Sequence, residues 1–76
     1  MGLKLFVGGL SWDTTEDAMR DFFAQVGTVT SATILTDKFT GKSKGFGFVE
    51  MSTEEEAQAA VDQLNGKELD GRTLTV

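Results

Sequence analysis

A chain of 76 residues without a low-complexity tract accommodates one small domain and no second one. It contains no cysteine and no histidine, which removes disulfide stapling, thiolate zinc sites and Cys/His or Ser/His catalysis together. Twelve acids against seven bases give a formal charge of −5, which argues against recognition of nucleic acid by bulk electrostatics. No apolar run approaches the roughly 18 residues that span a bilayer, and the first residues lack the basic-then-apolar layout of a signal peptide. The composition therefore predicts a soluble, intracellular protein, cytoplasmic or, in a eukaryote, nuclear; a mature secreted form would have the same composition.

Residues 3–7 alternate, with Leu3, Leu5 and Val7 on one face and Lys4 and Phe6 on the other, and predict a strand that Gly8 and Gly9 end. Trp12 follows in a short loop, where Asp13, Thr14 and Thr15 offer caps for a helix and Thr14 with Asp17 three residues later approximates a capping box. Met19, Phe22, Phe23 and Val26 then recur at i, i+3, i+4 and i+7, one apolar helical stripe. Gly27 suits the left-handed C′ position that stops such a helix. Residues 28–36, rich in Thr, Val and Ile, predict a second strand, and the three-residue step from Val29 to Ala32 predicts a bulge, with Thr33 and Leu35 facing away from the core. Residues 37–43 form a polar turn, too short for a parallel crossover, so the next strand pairs antiparallel. Ser52 and Thr53, each with a glutamate three residues on, open a second helix whose stripe is Ala57, Ala60, Val61 and Leu64, and Asn65 and Gly66 close it. A last strand begins at about Arg72, with Leu74 and Val76 sharing a face. The order is βαββαβ, a ferredoxin-like α+β sandwich in which two helices cover one face of a four-stranded antiparallel sheet. The other face is left for solvent or a partner.

That uncovered face carries the most unusual stretch of the chain, residues 44–51. Strand parity puts Lys44, Phe46, Phe48 and Glu50 in one row and Gly45, Gly47, Val49 and Met51 in the other. Turning the phenylalanines inward would send Val49 and Met51 out and leave glycines to fill the core. With the aromatics outward, Phe6 joins them from the first strand. Aromatic rings beside a cation form the surface on which unpaired bases stack, with the lysine available to a phosphate. The charges are distributed to match. Eight acids (Asp13, Glu16, Asp17, Asp21, Glu54, Glu55, Glu56, Asp62) fall in or beside the predicted helices, and four of the seven bases (Lys4, Lys38, Lys42, Lys44) on or near the strands and the loop before residue 44.

These residues resemble an RNA recognition motif domain over nearly the whole chain. Residues 44–51 match the RNP1 pattern of basic, Gly, aromatic, Gly/Ala, aromatic, Val, any, aromatic at every position but the last, where Met51 stands on the core-facing row. Leu5-Phe6-Val7-Gly8-Gly9-Leu10 resembles the companion RNP2 motif about forty residues earlier. The runs at 9–16 and 41–51 resemble small single-domain proteins of bacteria and cyanobacteria and the glycine-rich plant relatives. The chain stops at Val76, so residues 1–76 read as a single domain of this kind, truncated at or just inside its last strand.

The resemblance implies a partner, single-stranded RNA, with single-stranded DNA as a second candidate. A monomer is expected, with no cofactor, no metal and no membrane partner. Phe6 is expected to stack under one base and Phe48 under its neighbour, with Phe46 against the sugars between them and Lys44 on the intervening phosphate. Lys4, Thr33, Leu35 and Glu50 border the same face, and Glu50 can accept a hydrogen bond from an exocyclic amine. Arg72, Lys38 and Lys42 are candidate phosphate contacts. Trp12 is either a loop anchor or a third stacking surface. The alternative within the same fold is a protein-interaction module, whose branch carries Arg-x-Phe before the last strand; here Arg72-Thr73-Leu74 lacks the aromatic. Gly41-Lys42-Ser43 is not a phosphate-binding loop, since Thr36 stands where its first glycine belongs. Glu50 likewise occupies the third glycine position of a dinucleotide fingerprint. No nucleophile–base pair suggests an enzyme.

Overall fold

A computed structural model describes residues 3–76. Its elements are β1 (Lys4–Gly8), α1 (Glu16–Phe23), β2 (Val29–Thr36), β3 (Ser43–Met51), α2 (Glu54–Leu64), β4 (Glu68–Leu69) and β5 (Arg72–Thr73). β3 is central and antiparallel to both neighbours, facing β1 from Lys4↔Glu50 to Gly8↔Phe46 and β2 from Val29↔Met51 to Thr36↔Ser43. At the far edge of β1, the Gly8 N–H donates to the Thr75 carbonyl at 2.7 Å and the Thr75 N–H returns to the Gly8 carbonyl at 2.9 Å. The C-terminal segment thus borders β1, outside the β1-β3-β2 order, and the architecture is the ferredoxin-like α+β sandwich.

The last element differs from the sequence expectation. Arg72 and Thr73 do not open the fourth strand of the sheet but fold back on Glu68 and Leu69 as a two-stranded ribbon. Asp70 (φ 52°) and Gly71 (φ 80°) both take left-handed conformations at its tip, the requirement of a type I′ hairpin turn, and Asp-Gly is a preferred pair there. Two-residue strands show no alternation, so no period in the sequence marks them.

The helices form where the stripes predict them, with different ends. Of the three candidates Thr15 caps α1, its side chain accepting from the Ala18 N–H at 3.1 Å, and the Thr14–Asp17 box does not form. Thr14 is buried and donates to Asp70 Oδ2 at 2.8 Å, tying the loop before α1 to the hairpin tip. The helix stops at Phe23 with Ala24 as its cap, and Gly27 is not left-handed; instead it lies so close to the Glu56 side chain that a Cβ would collide with it. In α2 the expected box is present, with Thr53 accepting from the Glu56 N–H at 3.1 Å. α1 packs on β2, and α2 lies over β3 and β1.

Leu5, Val7, Met19, Phe23, Ala32, Ile34, Val49, Met51, Ala57, Ala60, Leu64 and Leu74 are buried between helices and sheet, as parity and stripe predict. Leu10 joins them although it lies in a loop, and Leu3 is 38% exposed. The bulge in β2 falls between Val29 and Ser31, and a second irregularity follows between Ile34 and Thr36. Beside it Glu16, in the first turn of α1, accepts the Ile34 N–H at 2.9 Å.

Candidate nucleic-acid interface

The cross-strand register sets out the uncovered face in rows. Phe6, Phe48 and Thr33 stand opposite one another on β1, β3 and β2; one row along stand Lys4, Glu50 and Ser31. Phe46 faces Gly8 in the row on the other side. Phe6 pairs with both other rings, lying 5.8 Å from Phe46 with planes 30° apart and 6.1 Å from Phe48 nearly edge-on at 74°. Aromatic pairs favour such offset and edge-to-face geometries, so the cluster holds itself in place without a layer above it. Phe6 remains 48% exposed. Its ring extends over Gly8, where a Cβ would come within 2.8 Å of it.

Two glycines fit this row to its neighbours. Gly47, between Phe46 and Phe48, is pressed so close to β2 that a Cβ would run into the Thr33 carbonyl oxygen. Gly45 takes φ 84°, a left-handed conformation that glycine adopts without a steric penalty. Its N–H donates to Ser43 Oγ at 3.0 Å and its carbonyl accepts from the Leu10 N–H at 2.8 Å. Simple alternation therefore does not carry through Gly45 to Lys44.

Lys44 lines a hollow with Trp12, Asp37, Thr40, Lys42 and Ser43, off the end of the aromatic row. Trp12 is 69% exposed, so it is not a packed loop anchor. The loop beside it is well bonded: Asp37 Oδ1 accepts from the Phe39 N–H at 2.8 Å and the Thr40 N–H at 3.1 Å, and the Gly41 N–H donates to the Asp37 carbonyl at 2.8 Å. The Phe39 and Thr40 amides hold the Asp37 carboxyl below its ordinary value, with the Lys44 ammonium a smaller influence in the same direction. This turn lifts Phe39 almost wholly into solvent, 94% exposed, between Lys38 and Lys42. No strand or helix period marks Phe39 in the sequence; its one signal is an aromatic placed inside a polar turn.

A second hollow, of about 220 Å³, lies over β2 and β3 and is lined by Lys4, Ser31, Thr33, Leu35, Phe48 and Glu50. Lys4 Nζ stands 4.8 Å from the centre of the Phe48 ring, a cation–π contact. Of the residues singled out from the sequence, Phe6, Phe46, Phe48, Lys4, Glu50 and Leu35 are thus brought together on the sheet, and Trp12 and Lys44 in the adjoining hollow. Arg72 lies apart from both, on the β4–β5 ribbon. Among the described residues no three His, Cys, Asp or Glu side chains are placed to hold a metal ion.

The fold, the paired motifs and the aromatic row define a class: residues 5–75 match the family model of the RNA recognition motif, and the chain belongs to that family. Over all 76 residues it is 49% identical to glycine-rich RNA-binding protein 4, mitochondrial, of Arabidopsis thaliana, and covers 56% of that protein. The chain spans about half the length of the curated relatives it matches. Among solved structures it resembles the RNA-binding protein PG1 (41% identity, TM-score 0.90, covering 96% of this chain and 88% of that one). It also resembles a chain of a SXL-lethal protein/RNA complex (29% identity, TM-score 0.92, covering 99% of this chain and 45% of that one). The matched family is the RNA recognition motif, and the named relative is an RNA-binding protein. No helix among the described residues is long and apolar enough to cross a membrane.

Proposed function

We propose that this protein binds short single-stranded RNA across its uncovered sheet face, as a monomer. The observation that carries the reading is the contiguous cluster of Phe6, Phe46 and Phe48 on the one sheet face that no helix covers. A solvent-facing aromatic cluster is a poor solution to solubility and a good platform for unstacked bases, each of which offers a π-face whatever its identity. Phe6 and Phe48 take successive bases, and Phe46 lies against the sugars between them. Lys44 and Lys42, beside Trp12, attract the phosphates that run off the end of the row. With a net charge of −5, binding rests on stacking more than on counterion release. Its setting is an intracellular compartment that holds RNA, and the Arabidopsis relative is named for the mitochondrion.

The test is a titration of a labelled RNA oligomer against the wild type and the Phe6→Ala/Phe48→Ala double variant. Each stack is worth about 1–3 kcal/mol, so the double variant loses roughly thirty-fold or more in affinity. The rings lie outside the buried core, so the variant keeps its fold and its circular dichroism spectrum. Equal affinity for the two proteins would overturn the reading.

A further inference from the structure

Stacking explains why bases bind; it does not choose among them. The row beyond Phe48 has the chemistry to choose. Lys4 and Glu50 are directly opposed across β1 and β3, and Glu50 has Ser31 on its other side. Two residues along a strand are about 6.7 Å apart, a span that half a purine and one hydrogen bond of ~2.9 Å fill. A base stacked on Phe48 therefore reaches this row with its edge. Both charged side chains line the same hollow as Phe48, and Lys4 Nζ already stands 4.8 Å from that ring's centre, where an incoming base would displace it sideways.

We propose that this hollow is a guanine-selective subsite, with Glu50 and Lys4 as the residues that read the base. The assignment rests on the reading of the sheet face as an RNA surface. A carboxylate offers two acceptor oxygens and no donor; an ammonium offers only donors. Guanine alone among the four bases presents two adjacent donors, N1–H and the N2 amine, beside an acceptor, O6. Glu50 takes the two donors as a bidentate pair, and Lys4, moved off the ring, takes O6. Adenine and cytosine each present one amine beside a ring nitrogen acceptor, enough for a single bond to each side chain. Uracil places its one N–H between two carbonyl oxygens, which the carboxylate repels. The flanking walls, Leu35 and Phe48, are apolar, and Ser31 and Thr33 carry hydroxyls that suit either sense of hydrogen bond.

The experiment titrates wild type and Glu50→Gln with four short strands, a uridine hexamer and the same hexamer carrying one central guanosine, adenosine or cytidine. Wild type is expected to bind the guanosine strand about tenfold more tightly than the uridine strand, the order of discrimination a bidentate pair provides. Glu50→Gln is expected to weaken the guanosine strand while strengthening the uridine strand, since one fewer negative charge favours any RNA. Equal wild-type affinity for all four strands would overturn the assignment. So would a Glu50→Gln variant that strengthens every strand by the same factor, because Glu50 would then act through charge alone. Failure of all four strands to bind would instead overturn the RNA-binding reading of the sheet, and the subsite with it.

Discussion

Gly47 separates the two aromatic residues of β3 and shows how little latitude the row has. A Cβ there would meet the Thr33 carbonyl oxygen and come within 2.9 Å of the Ile34 Cα, both backbone atoms of β2. Gly47→Ala has to push β2 away from β3 in the middle of the sheet. We expect a loss of about 1–3 kcal/mol, the usual range for overpacking, seen as a fall in Tm of about 4–8 °C per kcal/mol for a domain of this size. An unchanged Tm would contradict the close approach. Much of the site was legible at this scale because strand parity is strict between Phe46 and Met51: Phe48 and Glu50 face out, Val49 and Met51 are buried. It failed at Gly45, whose left-handed backbone is allowed but not dictated by a glycine codeword. Lys44 consequently joins Trp12 and Lys42 instead of the row that alternation assigned it.

Among the elements, α2 is tied to the rest of the chain through Glu56. One carboxylate oxygen accepts from the Ser52 and Thr53 hydroxyls, the other from the Thr28 N–H at 2.7 Å. The Ser52 hydroxyl first, and the Thr28 amide next, hold this carboxyl below its ordinary value of 4.5. A carboxylate lowered on folding stabilises the fold above its unfolded pKa and ceases to do so as pH falls through the folded value. Glu56→Gln is therefore expected to lower the urea midpoint at pH 7, with the gap to wild type narrowing as pH drops below about 4.5. A gap of constant size from pH 7 to pH 3 would contradict the role. The capping half of this arrangement was visible as Thr53 and Glu56 at the box spacing. The link to Thr28 was not, because it joins residues 28 apart that no local pattern connects. The same limit explains Thr14, whose partner Asp70 is 56 residues away, and the helix end at Phe23, where packing against Glu56 rather than a left-handed cap decides what Gly27 does.

At the scale of the whole molecule, βαββαβ order with one apolar stripe per helix was enough to predict a sheet covered on one side only. The β4–β5 ribbon escaped because its strands are two residues long. The charges follow the same division, with acids concentrated in and beside α1 and α2, and Lys4, Lys38, Lys42 and Lys44 along the sheet and its longest hairpin loop. An acidic protein so divided repels RNA from its helices and leaves one face on which a strand can lie. We propose that this face, and no other, receives RNA. A backbone NMR shift map with a randomised short RNA pool tests it most directly: perturbations confined to Lys4, Phe6, Phe46, Phe48 and Glu50 and to the hollow around Trp12 and Lys44 are predicted, and perturbations centred on α1 and α2 with the sheet face silent would contradict it.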